Sequence, residues 1–225
     1  MTRSSPERLA SEVHAPESAA TGRAYAGESQ AERTARRRQQ FLDAGLQVFG
    51  TTGYRTATVR QLCRQAELTD RYFYESFHST EDLLVAVYER EFEHLQRLVM
   101  AALADEAARR DPMVAVDRAL HALFEMASEP RVARVCWLEV LGVSARVDEV
   151  YTRNIERFAA LVVAFARQQF STASIDEVES RMLGIAMIGA VSQPVTHWLL
   201  GGYQEDRAKL VAATARVFRG VINGL

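Results

Sequence analysis

The chain has 225 residues, of which 48% are hydrophobic and 25% charged, a composition that suits one or two folded domains and excludes a wholly disordered chain. The two cysteines, Cys63 and Cys136, lie far apart in the sequence, which argues against a disulfide scaffold or a zinc finger and favours a reducing, cytoplasmic location. The net charge is −2, but residues 31–78 hold eight arginines against five acidic residues, so this segment has the charge balance that favours a polyanion.

The first 30 residues differ in composition from the rest. They are rich in Ala, Ser, Glu and Gly and contain no apolar run. This composition predicts a flexible tail over residues 1–30 and no secretory signal. The patterns that follow predict a first domain over residues 31–78 and a second domain over residues 79–225.

Three short helices are predicted in the first domain. Apolar residues at helical spacing predict the first helix over residues 31–50. The second begins at Thr58, whose hydroxyl can cap it while Gln61 closes a capping box. Residues 67–69 then form a three-residue turn before the third helix, over residues 70–77. Two short helices joined in this way have the geometry that places the second helix in a DNA major groove.

The third helix has an outward face typical of DNA contact. Phe73 and Phe77 lie four residues apart and therefore face inward together. The outward residues are Thr69, Arg71, Tyr72 and Tyr74. Arginine can contact guanine edges, and tyrosine hydroxyls can hold phosphates. The alternative interpretation is that Tyr72 and Tyr74 pack under the next helix.

Residues 79–225 are predicted to be helical throughout. Ser79 caps a helix that can run to Arg110. Further helices are predicted over residues 112–128, 131–144, 147–170, 175–200 and 205–223. No alternating strand pattern bounded by turns occurs, so the predicted fold is all-α, with an N-terminal helix-turn-helix domain and a helical C-terminal domain.

Two other functional classes are disfavoured. The stretch from Met182 to Gln204 has no formal charge and is long enough to cross a bilayer, but its polar block from Ser192 to His197 favours a helix buried on several sides and no membrane contact. The sequence has no glycine-rich phosphate loop, no nucleophile elbow and no histidine pair at metal spacing. We therefore expect neither an enzyme nor a metal ion or other cofactor.

A set of motifs runs through residues 31–90. It comprises Phe49, Gly53-Tyr54, Thr58-Val59, Leu62-Cys63, Ala66, the Tyr-x-x-Phe of Tyr74 and Phe77, and Glu81-Asp82-Leu83-Leu84. These motifs resemble the N-terminal domain of the TetR/AcrR family of transcription regulators. The resemblance implies a three-helix DNA-binding domain, a larger helical domain that dimerises and holds an effector cavity, and usually repression that a small molecule relieves.

The resemblance also implies which residues contact DNA. Its recognition-helix positions fall on Thr69, Asp70, Arg71, Tyr72 and Tyr74, and its phosphate-contacting threonine matches Thr58. Two positions depart from the family pattern: Glu67 stands where the turn usually has glycine, and Thr80 stands where a lysine usually meets phosphate. Arg36 and Arg37, within the run from Arg33 to Arg38, are expected to supply backbone contacts instead; the alternative is that this run is an ordinary solvated helix face.

The penultimate helix predicts a homodimer. Its apolar residues lie on every side, which is too many for one core-facing stripe. The expected interface residues are Val178, Met182, Ile185, Val191 and Trp198, with Val217 and Phe218 of the last helix. The segment from Val191 to Gly202 is similar to the penultimate helix of many family members, although Pro194 departs from them and is expected to kink the helix.

The helices between residues 80 and 200 carry more large apolar side chains than one compact layer needs. Together with the family resemblance they predict an apolar pocket for a small hydrophobic or acyl-type effector, although each side chain taken singly could serve core packing. The pocket residues expected are Phe92, Leu95, Leu120, Phe124, Trp137, Leu141, Phe158, Val162 and Phe165. The predicted function is a homodimeric repressor that the effector releases from a double-stranded DNA operator; an activator, or a hydrophobic-ligand carrier without operator binding, is the alternative.

Overall fold

The structure is a computed structural model that describes residues 29–106, 110–169 and 176–223. The predicted tail over residues 1–30 lies almost wholly outside the described residues. Within them, all regular secondary structure is helical, which confirms the all-α prediction.

The helices follow one another with short connections. α1 spans Gln30–Thr51, α2 Val59–Ala66, α3 Asp70–Ser76, α4 Thr80–Ala104 and α5 Pro112–Ala127. α6 spans Pro130–Arg134, α7 Ala145–Gln169, α8 Glu177–Leu200 and α9 Arg207–Asn223. A 3-10 turn, Tyr54–Thr56, follows α1, and a single π-helical turn, Val135–Glu139, continues α6.

Side-chain caps fix the starts of the N-terminal helices. The predicted capping box of α2 is present: the Gln61 N–H donates to Thr58 Oγ1 over 3.3 Å, and the Thr58 N–H donates to Gln61 Oε1 over 2.8 Å. The Asp82 N–H donates to Ser79 Oγ over 3.0 Å, which confirms Ser79 as the cap of α4. Because these signals are local, they set the boundaries of the helix-turn-helix.

Two predicted helices are shorter than expected. α4 ends at Ala104 and not at Arg110, since the chain leaves the helical conformation at Asp105, whose carboxylate pairs with Arg118 of α5. The helix predicted over residues 131–144 is α6 followed by the π-helical turn, and regular structure stops at Glu139. Gly142 has a φ of +64°, a left-handed conformation that a helix cannot contain and that glycine adopts without strain.

One continuous core joins the helix-turn-helix to the other helices. Phe41 of α1 packs edge-on against Phe73, with ring centroids 5.4 Å apart, and both side chains are fully buried. At its other end α1 packs directly on α6 at Gly50, which has no side chain. A Cβ at this position would stand 2.5 Å from the Cβ of Arg131. The helix-turn-helix is therefore held to the C-terminal helices through the close packing of α1 on α6 as well as through α4.

Candidate nucleic-acid interface and apolar cavity

The turn between α2 and α3 has the predicted three-residue form. Glu67 adopts the left-handed conformation, with φ 56° and ψ 34°, and the Leu68 N–H donates to the Cys63 carbonyl over 3.0 Å. A side chain other than glycine costs about 1 kcal/mol in this conformation. The departure at Glu67 is thus accommodated in the turn, at the expense of local backbone strain.

The two faces of α3 differ as the sequence predicts. Phe73 and Phe77 are buried against Phe41. On the opposite side the Arg71 side chain is 82% exposed and Tyr74 is 56% exposed. These two residues therefore have the exposure that contact with a DNA base or backbone requires.

Tyr72 is half-buried, and the residue that covers it belongs to α1. The guanidinium carbon of Arg37 lies 3.9 Å from the Tyr72 ring centroid, a cation–π contact. The next arginine, Arg38, donates to the Ser76 carbonyl over 2.9 Å and lies over the Phe77 ring. Part of the arginine run thus fastens α3 to α1, while Arg36 is exposed.

Glu75 is a residue of this surface that sequence reasoning missed. Its carboxylate lies 3.0 Å from Arg71 Nε and 3.8 Å from Arg37 Nη1, so it links the two arginines. The spacing from Arg71 to Glu75 is the i,i+4 spacing of a helix ion pair, a signal that the sequence contained. The same spacing relates Arg60 and Arg64, two exposed arginines of α2 that add positive charge beside α3.

The helix starts at this surface expose polar groups. Thr58 and Thr69 are exposed residues that precede α2 and α3. Asp70, in the first turn of α3, accepts a hydrogen bond from the Arg71 N–H over 2.9 Å. Within the described ranges, no group of three or more His, Cys, Asp or Glu side chains is arranged to hold a metal ion.

A second site is an apolar cavity of about 170 Å³ between α4, α5, α7, α8, α9 and the π-helical turn. Seven predicted pocket residues line it: Phe92, Leu95, Leu120, Trp137, Phe158, Val162 and Phe165. The thiol of Cys136 also faces it, and burial, with a smaller contribution from Glu91, raises the pKa of that thiol well above its usual range. The cavity wall at Cys136 is therefore uncharged.

Two residues predicted for the pocket lie elsewhere. Phe124 is fully buried and packs against the Trp198 ring, with centroids 6.2 Å apart. Leu141 lies beyond the π-helical turn and is 47% exposed. Neither residue lines the cavity, contrary to expectation. Helical spacing predicts that an apolar side chain faces inward, but it does not predict which neighbouring helix that side chain contacts.

A segment in the N-terminal part of this arrangement matches a known protein family. The family model "Bacterial regulatory proteins, tetR family" matches residues 41–87, from the middle of α1 into α4. Over these residues the chain is similar to the TetR family. TetR-family regulators are DNA-binding proteins and not enzymes, and the matched residues include the whole helix-turn-helix built by α2 and α3.

Comparisons that cover most of the chain show that the remaining helices have the fold of solved transcription regulators. The HTH-type transcriptional regulator TcmR of Streptomyces glaucescens is 25% identical over 150 residues, which cover 67% of this chain and 58% of TcmR. The chain thus spans less than two thirds of the length of that curated relative. The fatty acid degradation regulator FadR of Bacillus halodurans aligns with a TM-score of 0.68 at 18% identity, over 84% of this chain and 96% of FadR. FadR of Bacillus subtilis, solved with stearoyl-CoA, aligns with a TM-score of 0.66 at 17% identity, over 80% and 96% of the two chains.

The residues predicted for the dimer interface divide into two groups. Val178, Met182 and Val217 are 61%, 45% and 51% exposed, and Ile185 is half-buried. Val191 and Trp198 are buried inside the protomer, and Phe218 is half-buried and lines the cavity. The expectation for Val191 and Trp198 is corrected, since the Trp198 indole already donates to the Glu205 carbonyl over 2.9 Å and packs on Tyr203.

The π-helical turn lies between the cavity and the helix-turn-helix domain. Trp137 lines the cavity. Two residues later, Glu139 accepts a hydrogen bond from the Tyr54 N–H over 2.7 Å and pairs with Arg134 over 2.7 Å. Arg134 in turn donates to the carbonyl of Thr51, the last residue of α1, over 3.1 Å. A single turn therefore contacts both the cavity and the segment that joins α1 to α2, and π-helical turns are frequent at functional sites.

Proposed function

We propose that the protein is a cytoplasmic, homodimeric repressor that binds a double-stranded DNA operator and leaves it when a hydrophobic effector fills the cavity. The observation that carries the proposal is the exposure of Arg71 and Tyr74 on an α3 that follows a capped α2. The proposed DNA contacts are Arg36, Arg37, Thr58, Thr69, Asp70, Arg71, Tyr72 and Tyr74. Asp70 acts indirectly, because its carboxylate accepts a hydrogen bond from the Arg71 N–H.

The proposed dimer rests on the uncovered apolar surface of α8 and α9. An 18-residue stretch of α8 has a mean hydropathy of 1.3, apolar enough by length and composition to cross a membrane, and only 22% of that stretch is buried in the protomer. Apolar side chains left outside the protomer core favour coverage by a second copy. To read a pseudo-palindromic operator, the two-fold dimer must place its two α3 helices about 34 to 36 Å apart, one turn of B-DNA, or at a modestly larger spacing.

The proposed effector rests on the chemistry of the cavity wall. Its side chains are aliphatic and aromatic on most sides, as is typical of a site for a hydrophobic ligand. The similar fold of Bacillus subtilis FadR, solved with stearoyl-CoA, supports an acyl-type effector. Release then requires that the effector bind the DNA-free state more tightly than the DNA-bound state.

The proposed route of release passes through the π-helical turn. An effector that moves Trp137 would shift Glu139, and with it the hydrogen bond to the Tyr54 N–H at the start of the segment leading to α2. Glu139→Gln weakens the ion pair with Arg134 while keeping the size of the side chain. We expect this variant to bind effector as the wild type does and to need more effector for DNA release.

The proposal is tested with the full chain and an operator selected from random DNA. Fluorescence anisotropy over a salt series should show specific, salt-dependent retention of DNA, which an added hydrophobic effector abolishes. Ligand binding without salt-dependent retention on DNA would instead identify a carrier. A reporter gene behind the operator separates the remaining alternative, because a repressor lowers its expression and an activator raises it.

A further inference from the structure

Among the residues that the structure describes, one cationic side chain lines the cavity. Arg167, in the last turn of α7, lines the cavity beside Ser180 of α8. The other lining residues carry no formal charge. A guanidinium beside an apolar cavity is a candidate partner for an anionic group of the ligand.

The Arg167 guanidinium is held in place by a buried hydroxyl. Its Nη2 donates to Ser180 Oγ over 2.9 Å, and Ser180 is 8% exposed. Close packing of α7 on α8 fixes this end of the cavity, since a Cβ on Gly184 would lie 2.9 Å from Val163. Among the described residues no carboxylate lies within ion-pair distance of Arg167, so its remaining N–H groups can donate hydrogen bonds to an anion.

The cavity wall continues along α7 away from Arg167. Tyr151, at the other end of the lining face of α7, lies 16 residues earlier, a helical rise of about 24 Å. Its ring stands 6.1 Å from that of Tyr88, at the end of the cavity that contains Cys136 and Trp137. Between the two ends the wall of α7 is apolar, which matches an extended alkyl chain.

We propose that the ligand is a single-chain amphiphile whose anionic head group pairs with Arg167 while its alkyl chain lies along α7 towards Trp137. This inference rests on the proposed function, because it requires a ligand in the cavity. The head group is a carboxylate or the phosphates of a coenzyme A thioester, which share the chemistry that a guanidinium recognises. Anchored at Arg167, the chain directs its far end to the π-helical turn that contacts the DNA-binding domain.

The test compares charged and neutral ligands of equal chain length. Hexadecanoate, hexadecanoyl-CoA and 1-hexadecanol are titrated by calorimetry, below their aggregation concentrations, into the full-length wild type, Arg167→Gln and Arg157→Gln. Arg157 is the matched control, an exposed arginine on the same helix that does not line the cavity. We expect the wild type and Arg157→Gln to bind an anionic ligand about tenfold more tightly than the alcohol, as one charge-assisted hydrogen bond provides.

Arg167→Gln should remove that preference and leave the affinity for 1-hexadecanol unchanged. The anionic ligand that loses more affinity in this variant identifies the head group. Equal binding of acid, thioester and alcohol by the wild type would overturn the inference while leaving a hydrophobic effector in place. A parallel loss of alcohol binding in Arg167→Gln would also overturn it, because Arg167 would then act only in the cavity structure. Failure of all three ligands to bind the wild type would instead refute the effector cavity itself.

Discussion

Glu75 offers a substitution whose effect on DNA binding has a predictable sign. Its carboxylate bridges Arg71 and Arg37 at 3.0 and 3.8 Å, and the Glu75 side chain is 44% exposed. Glu75→Gln removes a negative charge from the proposed DNA surface and releases both arginines. The exposed i,i+4 pair with Arg71 stabilises α3 by about 0.3 to 0.5 kcal/mol. The longer contact with Arg37 joins α3 to α1 and should add a similar amount, so the free energy of unfolding should fall by less than about 1 kcal/mol.

The gain in DNA affinity follows from Coulomb's law. A carboxylate about 8 Å from a phosphate in water is repelled by roughly 0.5 kcal/mol. Removing it from both half-sites of an operator should strengthen binding by about 1 kcal/mol, or about fivefold. If Arg71 or Arg37 then meets one more phosphate, the slope of log K against log salt should steepen by about 0.9 per half-site.

Fluorescence anisotropy with a labelled operator over a salt series measures both quantities. Glu156→Gln is the matched control, because it removes the same charge from an exposed position of α7, and it should leave affinity and slope almost unchanged. In an Arg71→Ala background the gain from Glu75→Gln should shrink. Equal or weaker operator binding by Glu75→Gln, with an unchanged salt slope, would refute the placement of this face of α3 against DNA.

Three further outcomes follow from the structure. Glu67→Gly should raise the free energy of unfolding by about 1 kcal/mol in denaturant titrations, because glycine adopts a φ of 56° without strain. The hydrogen bond from Arg131 lowers the pKa of the Glu129 carboxyl below its ordinary 4.5. The stabilisation of the folded state by this bond is therefore present above pH 4.5 and is lost as the pH falls through the lowered pKa. The melting temperatures of wild type and Glu129→Gln should converge in acid, and a constant difference between them would contradict the assignment. Met182→Arg combined with Val217→Arg should give a monomer mass in light scattering, whereas a dimer mass would place the interface elsewhere.

Local signals made the DNA-binding domain predictable from the sequence. Thr58 with Gln61 and Ser79 with Asp82 set helix starts by hydrogen bonds that span three residues, and the spacing of Phe73 and Phe77 fixes the inward face of α3. The resemblance to the TetR/AcrR family rests on these same residues and is confirmed by the family match over residues 41–87.

Features that depend on distant contacts were not predictable. The π-helical turn at Val135–Glu139 keeps the apolar spacing of a helix, so the sequence predicted one continuous helix there. The cation–π contact of Arg37 with Tyr72 joins α1 to α3, and no periodic pattern in the sequence predicts it. Phe124 and Trp198 were assigned to a pocket and an interface, but each packs on the other in the core, because apolar character does not specify a partner.

Selection of bound sequences from random double-stranded DNA tests the central claim most directly, with the wild-type protein and Arg71→Ala carried through in parallel. The wild type should enrich a pseudo-palindrome whose half-sites lie about one helical turn apart. Arg71→Ala should bind that sequence about 1 to 3 kcal/mol more weakly and with relaxed preference at one position of each half-site. Enrichment of no common sequence by the wild type, or of the same sequence with equal affinity by Arg71→Ala, would contradict DNA recognition through α3.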